Sequence, residues 1–409
     1  AAVATLASMA DRIGAVVRLV IDGKDVTEVS ALDYSSDVNQ CPDVCNVTLS
    51  PRNPAAMIAW LRLGQEVSVF TAHPAVNGGA EACRFSGYVK DIKTSGSRGG
   101  VDIKLTIADR GYRLTDCAPL WYTLKSGTYR DLFDVTSGKF IPKGIFKGLR
   151  FDNNINRRLK LGIAGFQAAG GAAQGQALYT PIMPIQVQPG ETYIDILTQY
   201  ARRLNLLVGV SVDGYLQAWL PDYNRKPSYT IRLTARESNV MSFESSQTAD
   251  KVYTDVICVG EAIGTPLLNS TNPNQQKRRG TVRKPDALPF QRRLTFADSE
   301  MQTVEFAQKM ADWRTKKELY DGWTVSYEVN DWHQNGTWWE SDQLVDVVDE
   351  INGISQTLYI SAVNAVTAKD KGDTCRITCR LPGLLSAAWG EIPSPRSFAA
   401  ATKPPVGSK

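Results

Sequence analysis

One pattern of strands is written twice in this chain, once near each end, and it restricts the fold more than any other feature. Gln65-Glu66-Val67-Ser68-Val69-Phe70 leads to Phe85-Ser86-Gly87-Tyr88-Val89-Lys90-Asp91-Ile92. After the polar tip Ser95-Gly96-Ser97-Arg98-Gly99-Gly100 the chain returns as Val101-Asp102-Ile103-Lys104-Leu105-Thr106-Ile107. The second version runs from Asp342-Gln343-Leu344-Val345-Asp346-Val347-Val348 to Leu358-Tyr359-Ile360-Ser361-Ala362-Val363-Asn364-Ala365-Val366. Its tip, Ala368-Lys369-Asp370-Lys371-Gly372-Asp373, returns as Thr374-Cys375-Arg376-Ile377-Thr378-Cys379-Arg380-Leu381. Apolar and polar residues alternate with period two, the mark of half-buried strands, and each polar tip marks a hairpin. The repeat is one of pattern and spacing, not of residue identity. If the two β-lobes are related, Val67 should correspond to Val345 or a near neighbour, and Val89 to Val363.

At 409 residues the chain is long for one core and predicts several domains. The expected class is mainly β with α+β elements: two β-barrel domains plus smaller α/β domains. The expected segments are an N-terminal arm (1–12), a first barrel (13–109), a mixed α/β domain (110–222), a second barrel (223–381) and a tail (382–409). The second barrel carries an inserted basic loop (265–293) and a helix (298–318). A net charge of +4 is too small to argue for a nucleic-acid face. No stretch reaches the roughly 20 apolar residues of a membrane span. The first ten residues lack the basic start of a signal peptide, so synthesis in a cytoplasm is expected.

Local signals fill in the lobes. Asp22-Gly23 and Asp213-Gly214 are hairpin turns. Asn53-Pro54 caps and opens a helix whose apolar face is Met57, Trp60 and Leu61. Ile194, Leu197, Ala201 and Leu204 make the stripe of a second helix. Phe306, Met310 and Trp313 share one face of the helix at 298–318. Residues 162–176, rich in Gly, Ala and Gln, read as a loop.

Candidate chemistry is sparse. Seven scattered cysteines do not make a disulfide framework. Cys375 and Cys379, about 13 Å apart on one strand face, are too distant to bond each other and look like core thiols. Cys41 and Cys45 have no second ligand pair, so no metal is expected. The glycine-rich stretch lacks the ending of a phosphate loop, and no Gly-x-Ser-x-Gly occurs. The two histidines, His73 in a Pro/Asn/Gly loop and His333 beside Trp332, give no triad pattern. Asp102, Glu328, Asp346 and Asp349 sit on polar faces or turns, which predicts solvation. No catalytic residue and no cofactor site is assigned. Trp323, Val325, Tyr327 and Val329 alternate and predict core. Trp338 and Trp339, beside the Gly336 tip, should place one ring outward and are candidate subunit or partner contacts. The basic stretch with Lys277, Arg278, Arg279 and Arg283 is a candidate contact for an acidic neighbour.

The order of these pieces resembles a known family. A β-lobe is followed by Ile107-Ala108-Asp109-Arg110 and Leu114-Thr115-Asp116-Cys117-Ala118. Gly190-Glu191-Thr192 then opens a helix that passes Ile196-Leu197 and Ala201-Arg202-Arg203. Last come the Asp213-Gly214-Tyr215-Leu216 hairpin, residues 339–349 and Ile354-Ser355-Gln356-Thr357-Leu358-Tyr359-Ile360. Together they resemble the baseplate hub proteins of Mu-like contractile-tailed phages, relatives of the T-even hub and of the N-terminal part of type VI secretion spike proteins. The resemblance covers residues 13 to 385. It implies that both barrels are tail-tube-like and that the chain is a non-enzymatic homotrimer forming a pseudo-sixfold ring in the virion baseplate. That ring joins the tail tube, or a tube-terminal baseplate protein, to the central spike and lets DNA pass without specific recognition. It would assemble in the host cytoplasm. The competing expectation is a tail-associated protein that degrades or binds cell-envelope glycan.

Overall fold

Period-two alternation is realised as strands through most of the chain. The structure, a computed structural model, describes residues 16–97, 100–119, 146–151, 189–203, 206–260, 279–298, 304–368 and 372–384, with isolated positions between 123 and 186. The expected arm (1–12), the Gly/Ala loop at 162–176 and most of the tail lie outside the described residues.

The chain opens with β1 (Val16–Ile21), β2 (Lys24–Val26), β3 (Val29–Asp37), β4 (Val44–Leu49), β5 (Glu66–Ala72), β6 (Ala82–Ser97) and β7 (Gly100–Asp109). Short strands follow: β8 (Thr123–Leu124), β9 (Leu149–Phe151), β10 (Ile185–Gln186), β11 (Leu207–Val210) and β12 (Leu216–Trp219). Next come β13 (Tyr229–Leu233), β14 (Val240–Gln247), β15 (Asp255–Gly260), β16 (Arg279–Arg283), β17 (Arg293–Asp298) and β18 (Trp323–Asn330). The last are β19 (His333–Gln334), β20 (Thr337–Trp338), β21 (Gln343–Asp349), β22 (Ile354–Ala368) and β23 (Gly372–Arg380). With few helices among them, the class is mainly β with α+β elements.

Two compact units emerge, and neither is one continuous stretch. The first is Ala1–Pro221 with Val329–Asp342 and Ser361–Ile377; the second is Asp222–Glu328 with Gln343–Ile360 and Thr378–Lys409. Two segments of the expected 223–381 lobe therefore pack with the first unit.

In the first unit, β3, β4, β7, β6, β5, β1 and β2 are successive antiparallel neighbours. The later part of β22 joins β3, with Ala362 opposite Asp37. Alternate residues Leu19, Ile21, Val67, Ile103 and Ile107 have no exposure and form the core face. Asp22 and Gly23 both take positive φ, 47° and 75°, the tight hairpin that their sequence foretold. The Asp213-Gly214 hairpin also forms, with Val210 opposite Leu216. Asn53 caps the helix Pro54–Trp60 by accepting the Ala56 N–H at 3.2 Å. Its expected face is only partly covered, with Leu61 buried just beyond it. The helix Tyr193–Arg203 buries Tyr193, Ile196, Leu197 and Ala201, so its stripe begins one residue before the expected Ile194. A capping box explains its start: the Thr192 N–H and hydroxyl donate to Asp195 at 2.9 and 2.6 Å.

In the second unit, β13 lies parallel to β21, and β21 antiparallel to the first part of β22. β18 buries Trp323, Val325, Tyr327 and Val329, as alternation required. The inserted segment differs from expectation: part of the basic loop is strand. β16 pairs antiparallel with β15 and β17 pairs parallel with it. Gly280 and Val282 face inward while Arg279 and Arg283 are exposed, a period-two pattern that the charges concealed. The helix runs Val304–Gly322, past the expected end at 318, and its closest packing is through the small residues Ala307 and Ala311, with Met310 beside them. Close approach is the reason: a Cβ on Gly280 would lie 2.2 Å from the Ala307 backbone. Asp349, expected to be solvated, is 1% exposed. It accepts the Tyr327 hydroxyl at 2.8 Å, the Ile351 and Asn352 amides at 3.0 and 2.9 Å, and the Asn352 side-chain amide at 2.6 Å. Those four donors stand in for water.

The duplicated pattern is present in the strands. β5, β6 and β7 hold 7, 16 and 10 residues; β21, β22 and β23 hold 7, 15 and 9. Register refines the expected equivalence. Val67 lies opposite Gly87, and Val345 opposite Leu358. Matching Val67 to Val345 therefore carries Val89 onto Ile360, not onto Val363.

Candidate functional site

The first unit gathers the residues that sequence reasoning singled out together with several that it missed. Asn335 and Gly336 turn the β19–β20 hairpin with positive φ at both positions, 53° and 75°. This sets His333 opposite Trp338. Trp332, Trp338 and Trp339 are all buried, at 6%, 5% and 3% exposure. The expectation of one outward ring fails because the strand ends at Trp338, and alternation no longer governs Trp339. The Trp339 amide donates to the Trp332 carbonyl at 2.9 Å, and the Trp332 indole N–H donates to the Val366 carbonyl at 3.0 Å. The Arg84 guanidinium lies 5.5 Å from the Trp338 ring centre and pairs with Glu340 at 2.7 Å.

Sequence gave no reason to join the two histidines, yet the fold brings them together. His73 Nε2 and His333 Nε2 are 3.3 Å apart, and Trp338 meets both rings edge-on. Among the described residues neither imidazole bonds a serine hydroxyl or a carboxylate, so no triad is assembled.

A cleft of about 520 Å³ lies in the same unit, with Cys41, Asp43, Arg84, Asp109, Trp219 and Trp339 in its lining. Asp43 precedes β4 and Asp109 ends β7, so strand pairing puts the acids side by side. The Asp43 amide donates to Asp109 Oδ2 at 3.1 Å, the Gly111 amide to Asp109 Oδ1 at 2.6 Å, and the Asp37 amide to Asp43 Oδ1 at 3.2 Å. Burial first, then the charge of Asp109, pushes the Asp43 carboxyl up to about 8. Burial pushes Asp109 up to about 7, against the pull of its two amide donors. The Cys41 thiol is raised well above its ordinary value by burial, then by the two aspartates. Backbone amides hold both carboxyls, an arrangement suited to pinning loop ends. The available signal was Asp109 itself, a carboxylate directly following the apolar run Ile107-Ala108.

In the second unit, Lys277 and Arg278 lie outside the described residues, while Arg279 and Arg283 stand on the exposed face of β16. Arg279 Nε donates to Thr281 Oγ1 at 3.1 Å, and Arg283 Nε lies 3.6 Å from Asp255. These arginines are thus fixed at one edge spacing rather than strung along a loop. Arg292 stacks over Tyr253 at 5.0 Å. Cys375 and Cys379 of β23 are fully buried free thiols, packed on the strand's inner face with Ile377. Among the described residues no group of three potential ligands converges as a metal site, and no helix is long and apolar enough to cross a membrane.

No protein-family model and no curated protein matches the chain. Solved structures do. The tail protein of Neisseria meningitidis MC58 superposes with a TM-score of 0.69 at 17% identity, over 91% of this chain and 98% of that one. The 43 kDa tail protein of prophage MuSo2 from Shewanella oneidensis gives 0.68 at 18%, over 91% and 99%. This is the fold of prophage tail proteins. The tail-protein fold extends to an Escherichia coli type VI secretion component, described as structurally similar to the T4 tail proteins gp27 and gp5. That chain matches with a TM-score of 0.52 at 10% identity, over 92% of this chain and 79% of its own.

Proposed function

We propose that this chain is a structural baseplate hub of a contractile tail: a homotrimeric ring that joins the tail tube to the central spike and acts on no substrate. The observation that carries this reading is the end-to-end match to two tail proteins, over 98% and 99% of their lengths. Related strand triplets, β5–β6–β7 and β21–β22–β23, support two tube-like barrels per chain. Three chains then present six similar barrels to a sixfold tube and three equal surfaces to a spike. Location in the virion tail and passage of DNA through the ring follow from that role. Solution mass together with imaging of the particle tests it. A closed three-chain ring at the tube–spike junction is expected; a twofold dimer, or a position elsewhere in the tail, would overturn it.

A second reading draws on the cleft, where two high-pKa carboxyls and two indoles form part of the lining, a combination also found in glycan-cleaving sites. Turnover of peptidoglycan that disappears in Asp43→Asn would favour it over the hub. The backbone N–H donors that occupy both carboxyls favour the hub.

A further inference from the structure

We propose that His73 and His333 form a clasp that holds the β19–β20 hairpin against the 73–76 turn at neutral pH and releases it on mild acidification. They are the chain's only histidines, 260 positions apart, and they meet Nε2 to Nε2 at 3.3 Å with ring centres 4.1 Å apart. The hydrogen-bond chain assigns the protons. The Ala75 amide donates to His73 Nδ1 at 3.1 Å, so that nitrogen is an acceptor and the proton sits on Nε2. His73 Nε2–H then donates to His333 Nε2, which leaves the His333 proton on Nδ1, a buried atom with no partner.

Only two neutral rings fit this chain. A proton added to His333 sets two N–H groups against each other at the clasp. One added to His73 sets Nδ1–H against the Ala75 N–H. Either event replaces an attraction with a repulsion between donors, and two imidazolium charges at this spacing repel as well. The surrounding charges do not rescue it. Asp331 favours a charged His333, but burial and then His73 outweigh it and hold that imidazole below its ordinary value. Arg84, across the Trp338 ring, is already engaged by Glu340. Stability from the clasp is therefore present above the unfolded histidine value of 6.5 and is lost as pH falls below it.

Release has a local consequence. Trp338 packs edge-on against both imidazoles, and a Cβ on Gly336 would lie only 3.2 Å from the Ala75 carbonyl, so hairpin and turn are in close contact. Opening the clasp unseats a tryptophan that is 5% exposed. The tautomer also argues against a chelate, because metal at both Nε2 atoms would expel the proton that the Ala75 amide places there.

Histidine labelled at Cε1 makes the test residue-specific, since the whole chain gives two signals. The His333 signal should titrate with a midpoint below 6.5 and in a way that depends on His73. In His73→Gln, the His333 midpoint should move back toward the ordinary value. Amide exchange of residues 331–338, corrected for the intrinsic pH effect, should be about tenfold faster at pH 5 than at pH 7.5 in the natural chain, with that ratio reduced in His73→Gln and in His333→Gln. A His333 midpoint at 6.5 or above, one indifferent to His73→Gln, or an unchanged exchange ratio would overturn the clasp. So would stoichiometric zinc shifting both signals at pH 8, which would make the pair a metal site instead.

Discussion

Asp43 and Asp109 show how one residue's surroundings set its chemistry. Both carboxyls keep their protons to higher pH in the fold than in the unfolded chain, so the folded state binds more protons between 3.8 and about 8. Stability supplied at this pair therefore falls as pH rises through that window. Asp43→Asn removes the ionisation while keeping an oxygen for the Asp37 amide. It should raise the melting temperature by several degrees at pH 8.5, by much less at pH 5 and hardly at all below pH 4, since each tenfold in the ionisation equilibrium is worth about 1.4 kcal/mol. An equal effect at pH 8.5 and pH 5 would refute the argument. Tyr327 and Asp349 make a sharper case in the second unit. Tyr327→Phe takes one of four donors from a carboxylate that water cannot reach. It should cost about 2 kcal/mol in urea unfolding; a cost near zero would mean that Asp349 does not need the hydroxyl. The burial of Asp43 and of Asp349 was not legible in the sequence. Asp349 follows Val347-Val348 before a turn, a place where an exposed carboxylate is the ordinary outcome. Its donors come partly from a strand 22 residues away.

Among the elements, strands and hairpins were the legible part. Alternation at Trp323, Val325, Tyr327 and Val329, and the Asp22-Gly23 turn, depend on neighbours in sequence, so local physics suffices. The helix Val304–Gly322 shows where that ends. Large apolar residues at 306, 310 and 313 pointed to a wide hydrophobic face. The partner strand β16 instead demands a helix that comes very near, and small residues at 307 and 311 meet it. Gly280→Ala should cost about 2 kcal/mol or more, because its methyl would have to displace helix backbone rather than a flexible side chain. Urea unfolding measures it, and a neutral substitution would show that the helix can shift freely. β16 itself was hidden by its arginines. Reversing both charges, Arg279→Glu with Arg283→Glu, should leave the melting temperature within about 2 °C, since exposed ion pairs contribute little. Incorporation into particles should drop if this face meets an acidic neighbour; normal incorporation would remove it from the list of contacts.

For the whole molecule, the order of elements was readable where the long-range meetings were not. The lobe–helix–hairpin–lobe sequence pointed to a tail hub, and the fold agrees with prophage tail proteins over 91% of the chain. The pairing of His73 with His333, like that of Asp43 with Asp109, depends on a topology that no local pattern encodes. That same topology makes the assembly prediction specific. A sheet edge left open on a barrel invites uncontrolled pairing, and a closed ring removes it. If each chain supplies two related barrels, one built on β5–β6–β7 and the other on β21–β22–β23, a ring that matches a sixfold tube needs three chains. Counting subunits in purified particles tests this directly: three copies of this chain should stand against each six-membered ring of tube protein. Six copies would mean that each chain contributes one tube-like barrel and that the duplication has no part in the match. A particle with three copies in which only the three β5–β6–β7 lobes meet the tube would likewise exclude the second lobe from the ring. The expected result is density of one barrel type and then the other, alternating around a single axis.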